Sequence, residues 1–176
     1  MSSLYLIASL PMLSLDAAPG VTPGAFLAAC REQLGAADAE AAEALLAGRP
    51  LAHPFVEAWT DKEALLRNAA ARQRARASGG DAARWLRPAQ GCDTRIEAGV
   101  EEAFQEGDPL KREKALDRLR WTLLDELQGC DPLSVRVVFA YAAKLALAAR
   151  RAALDPAKGS AVFDTLTAKP IPPLQF

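Results

Sequence analysis

Asp108-Pro109-Leu110-Lys111-Arg112-Glu113-Lys114-Ala115-Leu116-Asp117-Arg118-Leu119-Arg120-Trp121-Thr122-Leu123-Leu124-Asp125-Glu126-Leu127-Gln128-Gly129 reads as one capped helix from end to end. A carboxylate in front of a first-turn proline accepts free backbone N–H groups, and proline's fixed φ suits that turn. Leu116, Leu119, Leu123 and Leu127 recur on one face as the buried stripe, and Gly129 supplies the stop. The same punctuation returns at Asp131-Pro132 and Asp155-Pro156. Between them Val135, Val138, Ala142, Leu145 and Ala149 form a second stripe, each long helix running about five turns. Connections of a few residues force consecutive helices to fold back antiparallel. The caps recur but the sequences between them do not match, which predicts a helical hairpin array and not a solenoid.

Working toward the N-terminus, Ser78-Gly79-Gly80 is the most flexible-looking point, with Asp81 capping a short helix through Trp85 and Pro88–Gly91 making another break. The expectation is a single all-helical domain over 1–176 with a subdomain break, if there is one, at 78–91. Pro54–Ala77 reads as one long or kinked helix anchored by Phe55, Trp59, Leu65, Leu66 and Ala70, with a restart at Thr60-Asp61. A shorter helix spans about Asp38–Leu46, ended by Gly48 and Pro50. Before it, Thr22 and Pro23 open a helix with Phe26, Leu27, Cys30 and Leu34 on one face and Gly35 as its end. Leu4–Leu10, interrupted by Pro11, reads as a short strand or a buried extended arm.

Composition agrees with an all-α antiparallel bundle. Of 176 residues 51% are hydrophobic, enough for a real core. Alanine and leucine dominate that share, while β-branched and aromatic residues are scarce. A net charge of −1 provides no general attraction to nucleic acid or anionic lipid. Cys30, Cys92 and Cys130 are odd in number and lack a CxxC pair, so they read as reduced, mostly buried thiols of a cytoplasmic protein. The apolar run at Leu4–Leu10 has no Lys or Arg before it and is too short for a signal peptide. No stretch approaches a membrane span.

Catalytic apparatus is not recognisable. His53, the single histidine, sits in the loop Pro50–Pro54 and reads as an exposed or capping residue with no nucleophile or carboxylate nearby in sequence. The glycines at 79, 80 and 91 are not followed by Lys-Ser or Lys-Thr, and GxGxxG, HExxH and EF-hand spacings are lacking. No cofactor or metal is expected. The strongest local charge feature is Arg67, Arg72, Arg74, Arg76, Arg84 and Arg87, with Asp81 as the one acid among them. It reads either as a solvated face paired in space with Glu97, Glu101, Glu102, Glu106 and Asp108, or as a docking surface for an acidic protein or RNA. Protein is preferred, since few aromatics interleave for base stacking. Trp121 and Tyr141 are expected as core or interface anchors. Arg118, Arg120, Lys144, Arg150 and Arg151 are expected along an exposed edge of the same bundle.

Tyr5-Leu6-Ile7-Ala8-Ser9-Leu10-Pro11 with Leu13-Ser14-Leu15-Asp16 resembles the start of a family of uncharacterised bacterial proteins. That family is encoded in V/A-type ATPase operons of Bacteroidetes, spirochaetes and chlamydiae. Leu66-Arg67-Asn68 is compatible with a central family element, although the stretch after it is richer here in arginine and alanine. The resemblance is strongest in Arg112-Glu113-Lys114, Asp117-Arg118-Leu119-Arg120-Trp121, Leu124-Asp125-Glu126, Phe139-Ala140-Tyr141-Ala142-Ala143-Lys144-Leu145 and Leu154-Asp155-Pro156-Ala157-Lys158-Gly159. The family looks like a shortened relative of the ATPase C/d-type subunit, an all-helical piece seating the rotor stalk on the membrane ring. The resemblance implies a non-catalytic accessory or central-stalk subunit. Its partners would be other V/A-type ATPase subunits, and it would meet the membrane only through them. The alternatives are an unrelated helical binding module using Arg67–Arg87, and an enzyme with a scattered acid–base site.

Overall fold

The computed structural model describes residues 3–154 and 156–167. Among them every regular element is helical: α1 (Ser3–Ser9), α2 (Pro23–Gln33), α3 (Ala36–Ala47), α4 (Pro54–Ser78), α5 (Thr94–Gln105), α6 (Pro109–Gln128), α7 (Arg136–Ala152) and α8 (Pro156–Thr167), with a 3₁₀ turn at Ala83–Trp85. No helix among the described residues is long and apolar enough to cross a membrane.

Side-chain caps set several helix starts. Thr22 Oγ1 accepts from Ala25 N at 3.2 Å, and Asp108 Oδ1 accepts from Leu110 N at 2.8 Å. Both precede a first-turn proline, as the sequence predicts. Gly129 ends α6 at φ 78°, a backbone conformation other residues rarely adopt. The second Asp-Pro pair behaves differently. Asp131 Oδ1 accepts from Leu133 N at 3.0 Å, but this caps a turn, and α7 begins only at Arg136 after Ser134 accepts from Arg136 N. A strong local cap closes one turn without obliging the helix to continue from it. Asp155 of the third pair lies outside the described residues.

Two further expectations are corrected. The N-terminal apolar run is helical, not extended: Leu6 is fully buried, and Ser9 Oγ donates to the Leu6 carbonyl at 2.8 Å. A short apolar run has no period that separates strand from helix, and seven residues cannot hold a helix alone, so packing on α2 and α7 decides. In α4, Thr60 does not restart the helix. Its Oγ1 donates back to the Val56 carbonyl at 2.8 Å, and the helix continues unbroken.

Apolar side chains gather in two clusters. Leu6, Phe26, Leu45, Phe55 and Val56 join Val138, Phe139 and Leu145 of α7 in the first. Leu66, Ala70, Ile96, Val100, Leu116 and Leu123 build the second between α4, α5 and α6. α4 and α6 contribute to both, and Trp59 packs against each. Adjacent helices run oppositely. Asp117 midway along α6 meets Arg150 and Arg151 at the end of α7, while Asp125 near the end of α6 meets Lys144, earlier in α7. Likewise Arg95 at the start of α5 reaches Glu126 on α6, and Gly99 lets α5 approach Leu119.

α8 stands apart from both clusters. Val162, Phe163 and Leu166 leave 59%, 65% and 63% of their surface in solvent. Their spacing puts them on one face of the helix.

Candidate functional site

Chemistry-bearing side chains collect in three places. The first lies where the N-terminal segment crosses α6 and α7. Tyr141 is buried beside Phe26, ring centroids 5.3 Å apart, and its hydroxyl donates to the Pro11 carbonyl at 3.0 Å. Burial pushes the Tyr141 phenol above its ordinary range. Lys144 is also buried; its ammonium pairs with Asp125 and lies 5.2 Å from the centroid of the Trp121 ring. Around them a shallow pocket of about 330 Å³ is lined by Leu10, Pro11, Met12, Trp121 and Val137. Further along the segment, Asp16 pairs with Lys114 at 2.6 Å and Arg118 at 3.8 Å, and the Lys114 hydrogen bond holds its carboxyl below the usual range. The Leu15 carbonyl accepts from Arg151 Nε at 3.1 Å. Trp121, Tyr141 and Lys144 are thus brought together, with the Tyr141 hydroxyl and the Lys144 ammonium occupied inside the chain. Arg118 stays exposed.

The second place is a buried ion network that the sequence reading placed on an exposed edge. Asp117, 2% exposed, accepts from Arg120 at 3.0 Å and Arg150 at 2.6 Å, with Arg151 at 3.5 Å. Arg120 also donates to Glu63 of α4 at 3.0 Å. Burial pulls the Arg120 guanidinium down, but Glu63 and then Asp117 outweigh it and hold it above its usual value. Arg120, Lys144 and Arg151 are therefore inward residues; Arg150 alone of the network's arginines keeps half its side chain in solvent. A signal existed: Asp117 lies two turns from Leu124 on an inward face of α6, so its carboxylate needs cations from elsewhere.

The third place is the arginine segment, where the expected pairing with α5 is largely lacking. Arg72 bonds to Glu97 of α5, but Arg67 turns to Glu63 of its own helix at 2.7 Å and Arg74 lies 3.6 Å from Glu113 of α6. Glu101, Glu102, Glu106 and Asp108 form no ion pair with any of the segment's arginines among the described residues. Arg76 is exposed at the end of α4. Beyond Gly79 the chain returns across α4. There the buried Asn68 amide accepts from Arg87 N at 2.8 Å and donates to the Arg87 carbonyl at 2.9 Å. This two-bond clamp leaves a groove of about 710 Å³ lined by Arg67, Arg74, Arg84, Arg87, Asp81 and Trp85. Asp81 caps the 3₁₀ turn, accepting from Ala83 N at 2.9 Å.

His53 is the N-cap of α4, its Nδ1 accepting from Phe55 N at 3.3 Å and its ring edge against Phe139. Of the thiols only Cys30 is buried, whereas Cys92 and Cys130 are exposed in the loops before α5 and after α6, contrary to the expectation of mostly buried cysteines. Loops with few apolar neighbours offer a thiol nothing to be buried under.

Residues 97–169 match a family model described as a protein of unknown function (DUF2764). No curated protein and no solved structure matches the chain. The matched segment spans α5 to α8, and so contains the Leu119-Arg120-Trp121 and Tyr141–Leu145 elements of the first two sites.

Proposed function

We infer that the chain is a non-catalytic accessory or central-stalk piece of a bacterial V/A-type rotary ATPase, similar in role to a shortened C/d-type subunit. The observation that carries this reading is contiguity. Of the segments bearing the resemblance, Tyr5–Asp16 lies far in sequence from Arg112–Glu126 and Phe139–Leu145 yet meets both in space. Pro11 meets Tyr141, and Asp16 meets Lys114 and Arg118. A body of two long antiparallel helices with a buried ion network acts by shape and by helix-packed contacts. The solvated apolar face of α8 offers such a contact, since three exposed large side chains on one helical face suit burial in a partner's groove.

The reading is tested by tagging the chain in its native host and purifying it under mild extraction. Recovery of V/A-type ATPase subunits in stoichiometric amounts is expected. A preparation that repeatedly lacks every such subunit overturns the assignment.

A further inference from the structure

The arginine-lined groove between α4 and the loop after Gly79 has no part in the contacts just described. Arg84 and Arg87 have no carboxylate partner among the described residues. Arg84 lies instead over the Trp85 ring, 4.6 Å from its centroid. Arg74 holds Glu113 at the surface, where such pairs exchange readily, whereas Arg67 is tied to Glu63, itself held by the inward Arg120. Asp81, the single acid of the lining, has an oxygen committed to the 3₁₀ turn. Like charges held together in this way repel one another, and a loop free to move would spread them. Here the Asn68–Arg87 amide pair holds the loop against α4 and keeps the guanidinium groups converging on one space. Trp85 leaves 63% of its surface exposed at the rim, with Leu86 beside it. Arginine and tryptophan are the side chains that most often anchor protein interfaces.

We propose that this groove is a docking site for an acidic segment of a partner protein, its carboxylates received by Arg74, Arg84 and Arg87 and an apolar side chain covering Trp85. Guanidinium forks match carboxylates two-to-two, and the groove's volume suits a short peptide turn. A nucleic acid strand is the poorer occupant. Trp85 is the one aromatic side chain of the lining and Arg84 takes one of its faces, so successive bases find no stacking platform. The proposal stands whether or not the partner belongs to a rotary ATPase.

The test uses the full chain and a fluorescein-labelled peptide of repeated Glu-Glu-Leu, with a Gln-Gln-Leu peptide as the uncharged control. Anisotropy should show saturable binding of the acidic peptide, weakening steeply as salt is raised. The double variant Arg84→Glu/Arg87→Glu should lower affinity by about tenfold or more, and Trp85→Ala by a smaller factor. Lys111→Glu, an equal type of charge change on exposed α6, should leave binding within about twofold. Asn68→Ala changes no charge but frees the loop, so it should also weaken binding. Circular dichroism and melting of each variant establish that it is folded. Equal binding of the Gln peptide, or binding indifferent to the Arg84/Arg87 reversal in a folded protein, overturns the proposal. So does tighter, Arg84/Arg87-dependent binding of an oligo-uridylate or of phosphatidylglycerol vesicles, which would reassign the groove to RNA or lipid.

Discussion

The hydroxyl of Tyr141 donates to the carbonyl of Pro11 at 3.0 Å, joining α7 to the segment that follows the first helix across 130 residues of sequence. The ring also fills the space beside Phe26, so one side chain packs the core and latches the N-terminal segment. Tyr141→Phe removes only the latch and should cost about 1 kcal/mol in urea unfolding. Tyr141→Ala also removes the ring and should cost about 3 kcal/mol or more. Equal losses for the two variants would mean that the hydroxyl, not the ring, carries the contribution.

Asp117 presents a sharper case because its charge is buried. Asp117→Asn keeps the shape but withdraws half the negative charge facing Arg120, so a loss of about 3 kcal/mol is expected. Arg150→Ala, which removes a half-exposed partner, should cost no more than about 1 kcal/mol. Chemical denaturation of both variants decides whether the network depends on burial in this way.

Asp93 caps α5, accepting from Arg95 N and Ile96 N, and is paired with Lys62 at 2.6 Å. The Lys62 hydrogen bond holds its carboxyl below the ordinary 3.8. A lowered folded value means that the unfolded chain binds the proton first. The contribution is therefore complete above pH 3.8 and disappears as pH falls through the folded value. Asp93→Asn should flatten the acid limb of the stability curve. Asp93→Ala should in addition lose about 1–2 kcal/mol at neutral pH through the missing cap.

The three thiols should separate in a titration with an aromatic disulfide reagent. Cys92 and Cys130 are exposed and should react in the native protein, while Cys30 should react only on unfolding. Burial pushes the Cys30 thiol from 9.0 up to about 11. The folded state thus keeps a proton that the unfolded state releases, and this contribution is lost as pH rises from 9.0 toward 11. Comparison with Cys30→Ala isolates it from other groups that titrate in the same range.

Val162, Phe163 and Leu166 of α8 bury little within the chain. Replacing all three with serine should leave the melting temperature within about 2 °C and sharply reduce recovery of partner subunits in the tagged preparation. A large fall in melting temperature would show instead that the face is covered by the chain itself.

The helix inventory was legible in the sequence because caps, prolines and stop glycines act within a turn or two of their own position. Thr22-Pro23, Asp108-Pro109 and Gly129 each act at the helix end the sequence assigns to them. Where a signal was local but insufficient, packing overruled it: Asp131-Pro132 caps a turn short of α7, and Leu4–Leu10 becomes helical only against α2 and α7. The functional residues divide in the same way. The arginine cluster and the absence of familiar catalytic spacings could be read directly, since both are properties of neighbouring residues. That Arg120 turns inward to Asp117 and Glu63, while Arg84 and Arg87 stay open around a groove, could not. An arginine has the same charge wherever it stands in the chain, and only the tertiary contacts decide whether a carboxylate reaches it. The chain's local chemistry thus determined its helices, and tertiary structure decided which charges were buried and which remained exposed.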